Sequence, residues 1–333
     1  MVRLWYGERK MNTFDVILPF LKPIEHLILD NSISEVMVNG QRQVFVERDG
    51  VLQEVPHDWP GEGSLLVAVK NIARCLGDEI SESRPILDSR LLDGSRVAAV
   101  IPPCSLNGVT LTIRKFNVRQ FGIADLILAG MLNPTLAKRL EEYVLARKNI
   151  LISGGAGTGK TTLLSALVRF IPEDDRIVLI EDRSEIQISH KNVLRFVAKQ
   201  SQDGAGSVTI RDLLEAAMAH RPDRIVVGEL RGGGEAFDFL ELINSGHSGA
   251  IAGLQANNAQ QALARFTTCV LRSGVNLSYR ALKHNIGESL NVVIHIERRT
   301  GRRYIDEVIE INNYDADADL FDYCAVYLSQ RPR

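Results

Sequence analysis

"NILISGGAGTGKTTLLSALVRFI" (149–171) decides the fold. "NILIS" (149–153) reads as a buried strand, and "KTTLLSALVRFI" as the helix that follows. Between them, Gly154-x-x-x-x-Gly159-Lys160-Thr161 matches the phosphate-loop pattern in the context that pattern requires. Glycines let the backbone wrap so that successive N–H groups face an anion, and the helix N-terminus adds partial positive charge. A nucleotide with Mg²⁺ is therefore expected on Gly154, Gly155, Gly157, Thr158, Gly159, Lys160, Thr161 and Thr162. Lys160 is expected to reach the β- and γ-phosphates, and Thr161 to bind Mg²⁺.

Outward from this loop the second part of the chain alternates strand and helix. Strands are predicted at 176–182, 223–229 and 249–257, and helices at 210–220, 234–246 and 259–271. "LNVVIHIER" and "IDEVIEI" close the domain as a final strand pair. This alternation predicts an α/β domain, a mostly parallel sheet covered on both faces. Upstream, "ISEVMVNGQRQVFVERDGVLQEV" predicts an antiparallel meander with turns at Asn39-Gly40 and Asp49-Gly50. "GSLLVAVKNIARCLG" predicts an amphipathic helix closed by Gly77, and "SRVAAVIPP" with "VTLTIRKF" two more strands around Asn107-Gly108. The resulting division is an α+β domain over 1–120, a linker over 121–134 and the phosphate-loop domain over 135–333, with Pro134 opening a helix.

A phosphate-loop site needs carboxylates to hold Mg²⁺ through its shell and to activate water. In open α/β sheets they sit at the carboxyl ends of strands. "IVLIEDRSEI" supplies Glu181, Asp182 and Glu185, and "IVVGEL" supplies Glu229. A lone acidic residue after a strand is usually a cap or a solvated turn, but two such groups after successive strands favour chemistry. The second strand ends in Gly228-Glu229 rather than in an aspartate, which leaves the Mg²⁺ shell to Asp182. "SGHSGAIAGLQANN" (245–258) places His247 between a helix and a strand, where a catalytic and a surface reading are evenly balanced.

The remaining features exclude more than they assign. Among 333 residues, 45% are apolar and 24% charged, with a net charge of -2, which gives no support for a general nucleic-acid binder. No run of 18 apolar residues exists, and "MVRLWYGERKMNTFD" lacks a signal-peptide core, so a cytoplasmic protein is expected. Cys75, Cys104, Cys269 and Cys324 form no C-x-x-C pair and read as reduced, mostly buried thiols. "DADADLFDY" (315–323) starts like a calcium loop but has Leu320 and Val326 where glycine and glutamate are needed, and reads as a solvated segment.

The ordered series Walker A, "IEDRSEIQI", "RPDRIVVGELRGG" and "SGHSGAIAGLQANN" resembles the secretion and pilus-assembly ATPases of type II and type IV secretion, conjugation and pilus biogenesis. "VMVNGQRQVFVERDG", "SRPILDSRLLDGSRVAAVIPP" and "LTIRKF" extend the resemblance into the first domain, so it covers roughly residues 30 to 310. The resemblance implies a RecA-like ATPase domain that works as a homohexameric ring. Its implied partners are inner-membrane secretion or pilus machinery, with peripheral membrane contact and no direct nucleic-acid binding. It also implies Glu229 as water activator, Glu181, Asp182 and Glu185 as the Asp box, and His247 as the first His-box position. Arg96 and Arg114 correspond to arginines that approach the nucleotide phosphates. Two departures stand out: Gln255 replaces the usual histidine, and an extra glycine follows Arg231. The lack of a paired-cysteine subdomain and the compact build lean toward conjugal-transfer, type IV secretion and tight-adherence members. A DNA-dependent motor and a non-hydrolysing ATP-binding regulator are the rival readings.

Overall fold

In the computed structural model of the chain, the described residues are 13–48, 51–57, 59–91, 94–115, 121–186, 188–199, 206–274, 277–299 and 301–329. The Asp49-Gly50 turn, the extreme N-terminus and residues 116–120 lie outside them. The chain divides into two compact units, Met1–Gln120 and Phe121–Arg333.

The first unit is a six-stranded antiparallel sheet in the order β3-β2-β1-β6-β5-β4. Its strands are β1 (Ile33–Asn39), β2 (Gln43–Arg48), β3 (Val51–Val55), β4 (Ile86–Arg90), β5 (Arg96–Val100) and β6 (Thr110–Arg114). Alternation decides its faces: Val36, Val38, Val44, Val46, Val97, Leu111 and Ile113 enter one core with α1 (Glu25–Leu29) and α2 (Glu62–Cys75). The "FDVILPFLKPIEHLILD" stretch is three short 3₁₀ turns ahead of α1, because Pro19 and Pro23 recur too closely for a longer helix. Lys115 reaches back from the end of β6 to donate to the Leu27 and Asp30 carbonyls at 2.9 and 2.7 Å, closing the end of α1. Burial pulls its ammonium down to about 8.

The second unit is an eight-stranded sheet in the order β14-β13-β12-β7-β11-β10-β8-β9. The strands are β7 (Ile150–Gly154), β8 (Ile177–Glu181), β9 (Val193–Val197), β10 (Arg224–Leu230), β11 (Ile251–Leu254), β12 (Val292–Arg299), β13 (Arg302–Asp315) and β14 (Leu320–Leu328). The run from β12 to β9 is parallel, and β13 and β14 extend it antiparallel. Successive residues of β7 enter opposite cores, which is why its sequence is apolar throughout. Ile150 and Ile152 pack with α3 (Ile123–Leu128), α4 (Pro134–Leu145) and α5 (Lys160–Val168). Leu151 packs on the other face with α6 (Ile210–Met218), α7 (Gly233–Asn244), α8 (Ala259–Leu271) and α9 (Tyr279–Ser289).

Several expectations change here. Leu126, Met131 and Leu132, within the stretch read as a linker, are buried in the core beside α5. Asp315–Asp319 is exposed, as a solvated segment is, but it forms the turn between β13 and β14, where Asp319 accepts from Lys283 at 2.9 Å and from the Tyr314 hydroxyl at 2.5 Å. Lys283 also stands over the rings of Tyr279, Tyr314 and Phe321. Only Cys269 of the four cysteines is buried, since Cys75 ends α2, Cys104 lies in a loop and Cys324 sits on the edge strand β14.

Candidate nucleotide site

The carboxyl ends of β7, β11, β10 and β8 meet around a cleft of about 370 Å³. The phosphate loop forms one wall. Gly157 and Gly159 hold φ of +70° and +102°, and a Cβ on Gly154 would stand 2.6 Å from both the Ile296 carbonyl and the Thr158 hydroxyl. The loop is thus packed from beneath and open above, the form of an anion cradle. Thr158 Oγ1 donates to the Gly155 carbonyl at 3.0 Å and braces the turn. Gly157, Gly159, Lys160, Thr161 and Thr162 line the cleft, while Gly155 faces a smaller adjoining pocket with Gln255 and Arg265.

Lys160 is folded onto its own loop. Its ammonium donates to the Gly154 and Gly155 carbonyls at 3.1 and 3.0 Å and stands 3.3 Å from Glu229 Oε1. The other Glu229 oxygen accepts from Arg231 Nε at 2.8 Å, and Arg231 Nη1 donates to Asp182 at 2.6 Å. Burial acts to raise the Glu229 carboxyl, but the Arg231 bond and the two neighbouring cations outweigh it and hold it below the ordinary range. Thr161 Oγ1 lies 3.5 Å from Glu185 Oε2. The structure therefore brings Thr161, Glu185, Asp182, Glu229 and Lys160 into one cleft, with Arg231 as the link between two acids.

Glu181 is buried at the floor. Its Oε1 accepts the Glu185 and Ile186 amides, both at 2.8 Å, whereas Oε2 has no hydrogen-bond partner among the described residues. Burial pushes this carboxyl up to about 7, against those amides and the Arg195 charge. A Cβ on Gly228 would meet Glu181 Cγ at 3.4 Å, an ordinary contact, whereas a Cβ on Gly253 of β11 would stand 2.3 Å from the Gly228 carbonyl. In the glycine run after Arg231, a Cβ on Gly233 would stand 2.7 Å from the backbone at Arg272 and Ser273. Glu235 accepts the Arg231 amide at 2.7 Å.

His247 lies elsewhere. β7 and β11 run parallel with Ile150 opposite Ile251 and Ser153 opposite Leu254. The phosphate loop leaves the carboxyl end of that pair, and His247 precedes the amino end. β11 is about 13 Å long at 3.3 Å per residue, so the imidazole stands at the far edge, bonded to Ser245 Oγ at 3.2 Å. Gln255, at the carboxyl end of β11, is the His-box position that lines the cleft. Arg96 and Arg114 belong to the first unit, directly opposite each other on β5 and β6. Arg96 grips Asp88 through two bonds, at 2.6 and 2.5 Å, and Arg114 donates to Glu35 at 3.0 Å. Sequence reading missed Arg303, which also lines the cleft. Four arginines within residues 298–303 were the available signal.

A sequence-family model described as "Type II/IV secretion system protein" matches residues 20–316. The chain belongs to the type II/IV secretion system protein family. Relatives include a putative conjugal transfer protein of Mycobacterium tuberculosis, 31% identical over 293 residues (86% of this chain, 82% of that protein). The type IV secretion system protein VirB11 of Bartonella henselae is 31% identical over 332 residues (89% and 93%). The conjugal transfer protein TrbB of Rhizobium radiobacter is 32% identical over 294 residues (86% and 85%). Among solved structures, the pilus retraction motor PilT with bound ADP aligns at TM-score 0.61 and 19% identity (87% and 81%), a likeness of fold. Among the described residues, no helix is long and apolar enough to cross a membrane.

Proposed function

We propose that the chain is a Mg²⁺-dependent ATP hydrolase that powers a type IV secretion, conjugal-transfer or pilus-assembly machine. The observation that carries this reading is the placement of Glu229, held ionised, 3.3 Å from the phosphate-loop lysine. A carboxylate there can accept a proton from a water aimed at the γ-phosphate once Lys160 turns from its loop carbonyls to the nucleotide. The cleft suits Mg²⁺ as well. Among the described residues no cluster of three acidic, His or Cys side chains forms a metal cage. Mg²⁺ in nucleotide sites is held instead by one or two carboxylates, a hydroxyl and the phosphates. Thr161, Asp182 and Glu185 supply that set, and the ion would neutralise charge on the phosphate oxygens. Arg231 fixes Glu229 and Asp182 relative to each other.

Arg96 and Arg114 are the proposed closing arginines, reaching the γ-phosphate when the first unit closes on the nucleotide. Each is balanced by its own carboxylate, Arg96 by Asp88 and Arg114 by Glu35, partners that a phosphate could replace. Rounds of closure in a homohexameric ring at the inner membrane, docked on membrane partners, would convert hydrolysis into work. Gln255 in the cleft favours one rival, a nucleotide-binding regulator, because its amide cannot carry a proton.

Phosphate release with MgATP separates the two. The expected outcome is turnover by the wild type, a loss of at least about 10²-fold in Glu229→Gln, and MgADP affinity unchanged within a few-fold. Equal turnover of the two proteins would remove Glu229 from the chemistry, and no turnover in either would favour the regulator.

A further inference from the structure

The strand order places a second feature on the phosphate loop. β12 lies beside β7 on the side away from β11, and the last residue pair of that ladder is Ile296 with Gly154. β12 continues three residues further, to Arg299, before Gly301 (φ +79°) turns the chain back into β13. The tip of this hairpin therefore runs alongside the loop rather than beneath it. Arg298 pairs with Arg303 across it. Arg303 Nε donates to the Gly157 carbonyl at 3.1 Å, and its Cδ would stand 3.4 Å from a Cβ on Gly159. Arg298 Nη1 would lie 3.7 Å from a Cβ on Gly157. Both side chains therefore lie within ordinary contact range of the loop tip.

We infer that Arg303 is a second phosphate-binding cation of the nucleotide site, supplied by the same chain. This rests on the nucleotide reading above and deepens it. One donor of the guanidinium is spent on Gly157. Among the described residues, its η nitrogens meet no other acceptor, and the side chain lines the cleft with Lys160 and Thr161. A guanidinium anchored through Nε presents its η nitrogens as a fork, the geometry that accepts two phosphate oxygens. The sheet edge is thereby partitioned. Glu181, Asp182 and Glu229 stand on the β8 and β10 side, where Mg²⁺ and water are needed. Arg298 and Arg303 stand on the β12 side, where only phosphate charge has to be met.

The test is MgADP binding to the full chain by calorimetry at several salt concentrations, with Arg303→Met, Arg303→Lys and, as a control on the same hairpin, Arg302→Met. The expected result is a rise in Kd of roughly ten- to a hundred-fold for Arg303→Met. A shallower dependence of log Kd on log salt should accompany it, with partial recovery in Arg303→Lys and little change in Arg302→Met. The ligand-free melting temperature should hold in all three. Unchanged affinity in Arg303→Met overturns the inference, as does weaker binding with the full salt slope, which would mark a residue that merely shapes the loop. If Arg303→Met does not fold, Arg303→Gln takes its place: weaker binding with a shallower salt slope supports direct charge contact, and unchanged affinity or the full slope refutes it. Failure of the wild type to bind MgADP would instead refute the nucleotide reading itself.

Discussion

At the amino end of the parallel strands, Asn149 accepts the Gly249 and Ala250 amides at 2.9 and 3.0 Å and donates to the Ser289 carbonyl at 2.7 Å. Beside it, buried Arg224 donates to Asp175 at 2.7 Å, and Arg147 donates to the other Asp175 oxygen at the same distance. Gly249 (φ +84°) is required there, because a Cβ would stand 2.1 Å from Arg224 Nη1. At the carboxyl end the polar groups are held differently. Lys160 rests on carbonyls of its own flexible-geometry glycine loop, Glu229 shares its charge between two cations, and Glu181 keeps one oxygen without a hydrogen bond. At the amino end Asn149 is closed on fixed backbone groups, while Arg224 Nη1 beside it has no hydrogen-bond partner among the described residues; at the carboxyl end the groups keep partners that a phosphate, a metal ion or a water could replace.

That contrast can be broken by single substitutions. The largest effect on stability is expected at the closed end. Asn149→Ala strands two amides and a carbonyl, and should cost about 3 kcal/mol in urea denaturation while turnover per folded molecule stays near wild type. A loss of turnover without a loss of stability would dissolve the distinction between the ends. Glu181→Gln sharpens it from the other side. With its folded value raised to about 7 from 4.5, the folded chain keeps a proton that the unfolded chain releases. Wild-type stability should therefore fall as pH rises from about 4.5 to about 7 and then level off. Glu181→Gln should remove that slope, standing on the order of 2 kcal/mol above wild type at pH 8 and level with it at pH 4. A wild-type profile flat across this window would show the carboxylate to be ionised and solvated. The smallest effect is expected for His247→Ala: stability within about 0.5 kcal/mol and turnover within about two-fold. A large fall in turnover would give the far edge of β11 a part in the chemistry.

Local patterns were legible wherever the physics is local. The turn glycines Gly40, Gly77 and Gly108 all hold positive φ, and Asn133 caps the helix that Pro134 opens by accepting the Leu136 amide at 2.7 Å. Short or amphiphilic elements were missed: β4, β9, β14 and α9 have no long apolar run, and each is specified by the neighbour it packs against. The acids of the cleft were legible because carboxyl ends of strands are a rule of the fold. The catalytic and surface readings of His247 stayed balanced because proximity in sequence to β11 does not say which end of β11 faces the loop.

The sequence by itself determined the phosphate loop, the α/β alternation, the family and the set of acids, because each depends on residue spacing within a few turns of chain. Only the tertiary structure decided which groups share the cleft. Strand order puts β12 beside β7 and so brings Arg303 to Gly157, 146 residues apart in sequence. Parallel register sends His247 to one edge and Gln255 to the other. The packing of β10 against β11 makes Gly253 necessary, and Glu181 is buried at the end of β8. These are non-local choices: each depends on which distant segments bury their apolar faces together, and no window of sequence around the residue contains that information.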